Sequence, residues 1–283
     1  MFELRLENEN GEIVNINDEQ RYQVVSCSGL NPPTASLFMS KSPNRKGSKY
    51  NGSTLDERAI VLGIKLLGDI EAARVDLYQW TDPEQYVKVY CRTEKRNVYC
   101  EGYVQECPVD IFTDNEIVNV AIVCADPYLK DLQTISTAVT ALLAQFTFPF
   151  AIDNEGIPFS TMRDSNTTNV FNSGAETGCK ITIECTGDVQ NLVIFNASNT
   201  TQQIVLKTTL QENQTVVIDT EASQKTVRLY KPDGTVENIM KYVGGAPTWF
   251  TLKKGNNLFG YTATAGKDAA HVSVGFTNKY LGV

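Results

Sequence analysis

A mainly β fold is predicted, on three observations. Runs of alternating apolar and polar residues recur through the chain, turn residues punctuate them at short intervals, and one stretch near residue 70 changes to helical period. The 283 residues suffice for two ordinary domains. The helical stretch lies in the first half, whereas the pattern from residue 151 onward is β throughout. An α+β domain over 1–129, a connector over 130–150 and a β-sandwich domain over 151–283 are therefore expected.

The first half begins with Phe2, Leu4 and Leu6 alternating with Glu3, Arg5 and Glu7, a half-buried strand with one charged face. Asn10-Gly11 then supplies a tight turn needing positive φ, and Glu12–Ile16 resumes the alternation. A strand over Tyr22–Ser26 stops at Gly29-Leu30-Asn31-Pro32-Pro33. Met39–Gly52, polar and basic with Lys41, Arg45, Lys46 and Lys49, reads as an exposed loop. Ala59–Leu67 is a further strand. Ile70, Ala73, Leu77 and Trp80 then recur at helical spacing, and Asp69 is placed to cap a single amphipathic helix ending near Asp82-Pro83. Tyr86–Arg92 and Asn97–Gln105 form a hairpin around Thr93–Arg96. Glu116–Ala125 is the last strand, closed by Asp126-Pro127 because proline cannot donate to a ladder.

In the connector, Leu132, Ile135, Val139, Leu142 and Leu143 fit either a short helix or a threonine-rich strand. Beyond it, strands are predicted at Asn169–Asn172, Cys179–Glu184, Leu192–Asn196, Gln203–Leu206, Gln214–Asp219, Thr226–Tyr230, Trp249–Leu252, Asn257–Ala263 and Ala270–Tyr280. Many short strands so spaced predict a sandwich or jelly roll.

Composition narrows the function. A net charge of −8 repels nucleic acid, and no cationic cluster opposes it. The longest apolar run, Ala138–Phe150, is broken by polar residues and proline and falls short of the ~20 residues a spanning helix needs. No secretory signal is read at the start, so a soluble protein made in the cytosol is expected. The seven cysteines include no C-x-x-C pair, which disfavours zinc ribbons and redox motifs and favours buried reduced thiols. A hairpin turning at Lys95-Arg96 would make Cys91 and Cys100 cross-strand partners able to bridge in an oxidising medium.

Catalytic signals are weak. The one histidine, His271, lies on the strand face opposite Val272 and Val274, with no nucleophile motif beside it. A zincin needs two histidines and G-x-S-x-G is absent. Acidic pairs such as Asp18-Glu19, Asp56-Glu57 and Asp219/Glu221 read as solvated loop carboxylates rather than a glycosidase dyad. No catalytic, metal or cofactor residue is assigned. Sugar binding by the second domain has candidate contacts in Trp249, Tyr261 and Asn256, although Trp249 on a patterned strand equally suits core packing.

The motifs in order resemble a known family. Tyr99-Cys100-Glu101-Gly102-Tyr103-Val104, the strand Glu116–Ala125 and the turn Asp126-Pro127-Tyr128-Leu129 resemble the close of the N-terminal domain of siphophage distal tail proteins. Asn172-Ser173-Gly174 through Gly178, Thr215–Thr220, Trp249–Leu252 with Gly255-Asn256-Asn257, and the ending Lys279–Val283 resemble that family's C-terminal domain. The resemblance implies a non-enzymatic structural component of a phage or prophage tail tip. Its C-terminal domain would be a galectin-like or carbohydrate-module-like β-sandwich. It also implies a homo-hexameric ring joining tail tube to tip or hub proteins, with docking of receptor-binding proteins and DNA passing through the lumen unbound. No membrane and no cofactor are implied, and the location is the virion tail. Phe2, Leu4 and Leu6 are candidate oligomer contacts by strand addition, against the alternative of an internal edge strand guarded by its charges. The competing function is host recognition through a carbohydrate-binding C-terminal sandwich.

Overall fold

The protein is described here by a computed structural model. It describes all residues except 1, 44–45, 112, 114, 140–141, 145–159, 163–166, 198–201, 223 and 246–247, and only the backbone of 142–144 and 160–162. The chain is mainly β and divides into two compact units, Met1–Leu132 with Lys279–Val283, and Gln133–Asn278.

In chain order the first stretch holds β1 (Glu3–Glu7), β2 (Ile13–Asn15), β3 (Tyr22–Ser28), β4 (Ala35–Ser40), β5 (Lys49–Leu55), β6 (Arg58–Leu66), α1 (Ile70–Thr81), β7 (Tyr86–Arg92), β8 (Asn97–Glu106), β9 (Ile117–Cys124) and β10 (Leu129–Ala138). The main sheet of this unit runs β3-β6-β9-β8-β7-β1-β2, antiparallel throughout, with the start of β10 beside β8. Period-2 alternation sends Leu4, Leu6, Ile60, Leu62, Ile64, Val87, Val89, Val118, Val120 and Ile122 into one core. Asp69 accepts from the Ala72 amide at 3.2 Å and so caps α1, as expected. Ala73 and Leu77 face the core, but Thr81 is buried where Trp80 was expected, its hydroxyl donating to the Leu77 carbonyl.

Gly102 explains the Glu-Gly-Tyr-Val phrase in β8. A Cβ there would stand 2.6 Å from the Val123 carbonyl oxygen and 2.8 Å from Cys124 Sγ, so only glycine lets β9 pass. The β7–β8 hairpin differs by one position from the expected turn. Cys91 pairs with Val98 and Cys100 with Val89, which centres the turn on Glu94-Lys95. Cys91 and Cys100 are therefore not cross-strand partners, and all seven cysteines are free thiols. Burial pushes the thiols of Cys27, Cys91 and Cys185 up to about 11, which disfavours the reactive thiolate.

The connector begins as strand rather than helix: β10 extends the threonine-rich segment through Ala138. The stretch Phe146–Phe150 lies outside the described residues. The expected domain limit at residue 283 also differs from the observed division, because Lys279–Val283 cluster with the first unit. There, Arg58 donates to the Leu281 carbonyl at 2.7 Å, Arg96 donates to the Gly282 carbonyl and stacks on the Tyr280 ring at 4.2 Å, and Lys279 pairs with Asp126 at 3.6 Å.

The second unit contains β11 (Leu142–Ala144), β12 (Ser160–Met162), β13 (Thr167–Asn172), β14 (Lys180–Cys185), β15 (Val189–Asn196), β16 (Gln203–Leu210), β17 (Thr215–Asp219), β18 (Thr226–Tyr230), β19 (Val236–Asn238), β20 (Val243–Gly244), β21 (Gly255–Thr262) and β22 (Ala270–Tyr280). One layer runs β19-β18-β17-β14-β22 and the other β13-β21-β15-β16-β20, while β11 pairs with β12. Ile181, Ile183, Val216, Ile218, Val272 and Val274 from the first layer share a core with Val170, Ile194, Ile204, Leu206, Phe259 and Tyr261 from the second. Trp249–Leu252 is not a strand; only Leu252 bridges, to Thr177. Asn172, fully buried, donates to the carbonyls of Ala175 and Leu252 and accepts from the Gly174 amide. The family-like Asn-x-Gly phrase thus locks a turn into the core.

Candidate interaction surface

The expected loop at Met39–Gly52 is instead the distal part of a β-hairpin. β4 and β5 pair only with each other among the described residues, and almost every residue of both strands is exposed. The register pairs Ala35 with Leu55, Leu37 with Ser53 and Met39 with Tyr50, and a bulge leaves Asn51 unpaired. These residues share one face, where the Tyr50 hydroxyl and Ser53 Oγ lie 2.7 Å apart. Leu37, Met39 and Tyr50 are 57%, 53% and 56% exposed. Lys41, Lys46 and Lys49 stand exposed at and beside the tip.

A two-stranded hairpin with both faces in water is marginally stable by itself. Its root, in contrast, is firmly held. Ser36 Oγ donates to Asp56 at 2.8 Å and the Asp56 amide to the Thr34 carbonyl at 3.0 Å. Arg58, only 1% exposed, follows two residues beyond Asp56. Its guanidinium donates to the carbonyls of Gly29, Asn31, Pro127 and Leu281, at 2.9, 2.8 and 2.7 Å for the last three. Desolvation lowers its pKa, with the nearby Cys100, Cys124 and Asp126 opposing that shift. The chemistry of this arm is that of a surface waiting for an apolar, non-reactive contact.

The sequence-derived contacts fare unevenly. Leu4 and Leu6 are wholly buried, and β1 is bonded to β2 on one side and β7 on the other. They are core residues of an inner strand with no edge to lend, which corrects their reading as oligomer contacts. Phe2 alone remains available, 42% exposed beside a hollow of about 660 Å³ that it lines with Thr93–Arg96 and Val283. Glu7, on the charged face of β1, accepts from Lys88 Nζ at 2.8 Å and from the Tyr90 hydroxyl at 2.6 Å. The bond from Lys88, then that from Tyr90, lowers its pKa.

In the second unit the proposed glycan trio does not converge. Tyr261 is a core residue whose hydroxyl donates to the Ala270 carbonyl at 3.0 Å. Trp249 is half-buried against that core with Lys225 Nζ 5.9 Å from its ring centre. Asn256 is exposed, on the face of β21 opposite Tyr261. His271 points away from Val272 and Val274, as its strand position predicted. The suspected acid pairs serve turns: Asp18 accepts from the amides of Gln20, Arg21 and Tyr22, and Asp219 from that of Glu221. Among the described residues no cluster of His, Cys, Asp and Glu is arranged to hold a metal, and no helix is long and apolar enough to cross a membrane.

Comparison with known proteins places this arrangement. Residues 172–280 match the family model of the siphovirus-type tail component, C-terminal domain. The crystal structure of the SPP1 Dit (gp 19.1) protein, described as a paradigm of the hub adsorption apparatus in phages infecting Gram-positive hosts, superposes with a TM-score of 0.73. It is 13% identical, with 99% of each chain covered. Residues 172–280 thus resemble the siphovirus-type tail component domain, and the whole chain shares the fold of SPP1 Dit. A chain of the phage P2 baseplate in its activated conformation with Ca is similar at a TM-score of 0.51 and 12% identity over 100% of both chains. No curated protein matches the sequence.

Proposed function

We propose that this chain is a distal tail protein of a phage or prophage, the repeating subunit of a six-fold ring that joins the tail tube to tip or hub proteins and offers docking ground for peripheral, receptor-binding proteins. The observation that carries the reading is the β4–β5 hairpin, an apolar, two-faced arm rooted on Arg58 and left exposed by the described residues. Head-to-tail rings need a heterologous contact that closes on itself, and an arm reaching to the next copy supplies one. Covering Leu37, Met39 and Tyr50 contributes several kcal/mol per junction, at about 25 cal/mol per Å².

The free edge of β3 offers less, since its bulge between Val24 and Ser26 interrupts any added strand. A net charge of −8 suits a channel that lets DNA pass without gripping it. No chemistry is needed; the product is shape. Native mass spectrometry of the purified chain tests this directly. Six-fold or paired six-fold species are expected, and a chain that stays monomeric at high concentration would refute the ring.

A further inference from the structure

The outer face of the five-stranded sheet in the second unit carries a different kind of site. On β13, Asn169 and Phe171 point outward, because Val170 and Asn172 fill the interior. Across the register, Phe171 faces Asn256 and Asn169 faces Leu258 on β21. The Phe171 ring is 58% exposed, and Leu258 beside it 38%. Asn169 Nδ2 donates to Asn256 Oδ1 at 2.9 Å, which fixes the two amides against each other and keeps Asn169 Oδ1 as an acceptor and Asn256 Nδ2 as a donor.

Farther along the same face Thr167 stands opposite Gly260, Gly260 opposite Phe195, and Thr262 opposite Val193. Not one of these outward positions is ionisable, in a chain whose net charge is −8.

That combination selects its occupant. The exposed Lys253 and Lys254, just before β21, lie outside this register. The apolar side chains of this face, Phe171, Leu258, Phe195 and Val193, are interrupted by Asn169, Asn256, Thr167, Gly260 and Thr262, short of the continuous apolar patch a protein partner asks for. A pyranose chain matches each part: its C–H face lies on an aromatic ring, and its adjacent hydroxyls span a fixed acceptor and donor. We propose that Phe171, Asn169 and Asn256 form a binding site for a neutral oligosaccharide. The site stands independently of the ring. It also moves sugar contact away from Trp249 and Tyr261, keeping only Asn256 of the trio that the sequence suggested.

The test is titration calorimetry of the full chain with cellohexaose, maltohexaose and chitohexaose, with polygalacturonate as the acidic control. At least one neutral hexamer is expected to bind and polygalacturonate is not. Phe171→Ala and Asn256→Ala should each weaken binding by about tenfold or more, while Trp249→Ala leaves it unchanged. Both decisive side chains are exposed, and unfolding curves superimposable on the wild type will show that the variants remain folded. Three results would overturn the site: no neutral hexamer binds, binding survives both substitutions, or Phe171→Ala alters self-association and leaves sugar binding intact.

Discussion

At the scale of single residues, Arg58 links fold to function. It begins β6 two residues beyond the hairpin's root at Asp56, and its guanidinium gathers the carbonyls of Gly29, Asn31, Pro127 and Leu281. A buried charge persists when dipoles replace its water, and removing it strands those acceptors. Arg58→Met is expected to lower unfolding stability by about 3 kcal/mol or more. Arg58→Lys should recover only part of this, because one ammonium cannot span the fork. Equal denaturation midpoints for wild type and Arg58→Met would contradict this role. Glu7 gives a pH signature. Its folded pKa lies below its ordinary 4.5, so its stabilisation is complete above that value and is lost as pH falls through the lowered folded value. Glu7→Gln should cost about 1 kcal/mol at neutral pH and flatten the decline of stability below pH 4.5. Superimposable stability–pH curves would refute the assignment. Nothing in the sequence singled out Arg58, since a lone arginine before a strand reads as surface.

Elements were legible where the period was regular. β7, β18 and β22 have the bounds that alternation predicts, and α1 starts at its aspartate cap. The strand expected at Trp249–Leu252 failed because an aromatic-apolar run looks the same whether it joins a ladder or merely plugs a core, as Phe250 and Leu252 do. Conversely, β1 looked like an edge because its charges alternate. Those charges are used internally, Glu7 by Lys88 and Tyr90, and the strand is paired on both sides. The hairpin was misread through its tip, which is longer than common hairpin loops and rich in polar residues. The signal available was the short run Leu37-Phe38-Met39, mirrored by Tyr50 and Leu55. Replacing Leu37, Met39 and Tyr50 together by Ser should leave unfolding of the subunit nearly unchanged, about 0.5 kcal/mol or less per site, since all three are exposed. A large loss of stability would show that the arm packs within its own chain.

For the whole molecule, the order of the motifs carried the resemblance to distal tail proteins, whereas their partners in space stayed hidden. Asn172, Gly102 and Asn257 are there for close packing and turn closure: Asn257 Nδ2 donates to the Lys253 carbonyl at 2.8 Å. Such residues keep a shape without marking a site, and for that reason they identified the fold better than the function. Segments distant in sequence became neighbours only through folding, as when Lys279–Val283 joined the first unit. Whether another copy covers the hairpin is the same kind of question one level up. Native mass spectrometry of the wild type beside the Leu37→Ser/Met39→Ser/Tyr50→Ser variant answers it most directly. Six-fold species for the wild type and folded monomer for the variant are expected. Identical assembly of the two proteins would contradict the claim that this arm binds one copy to the next.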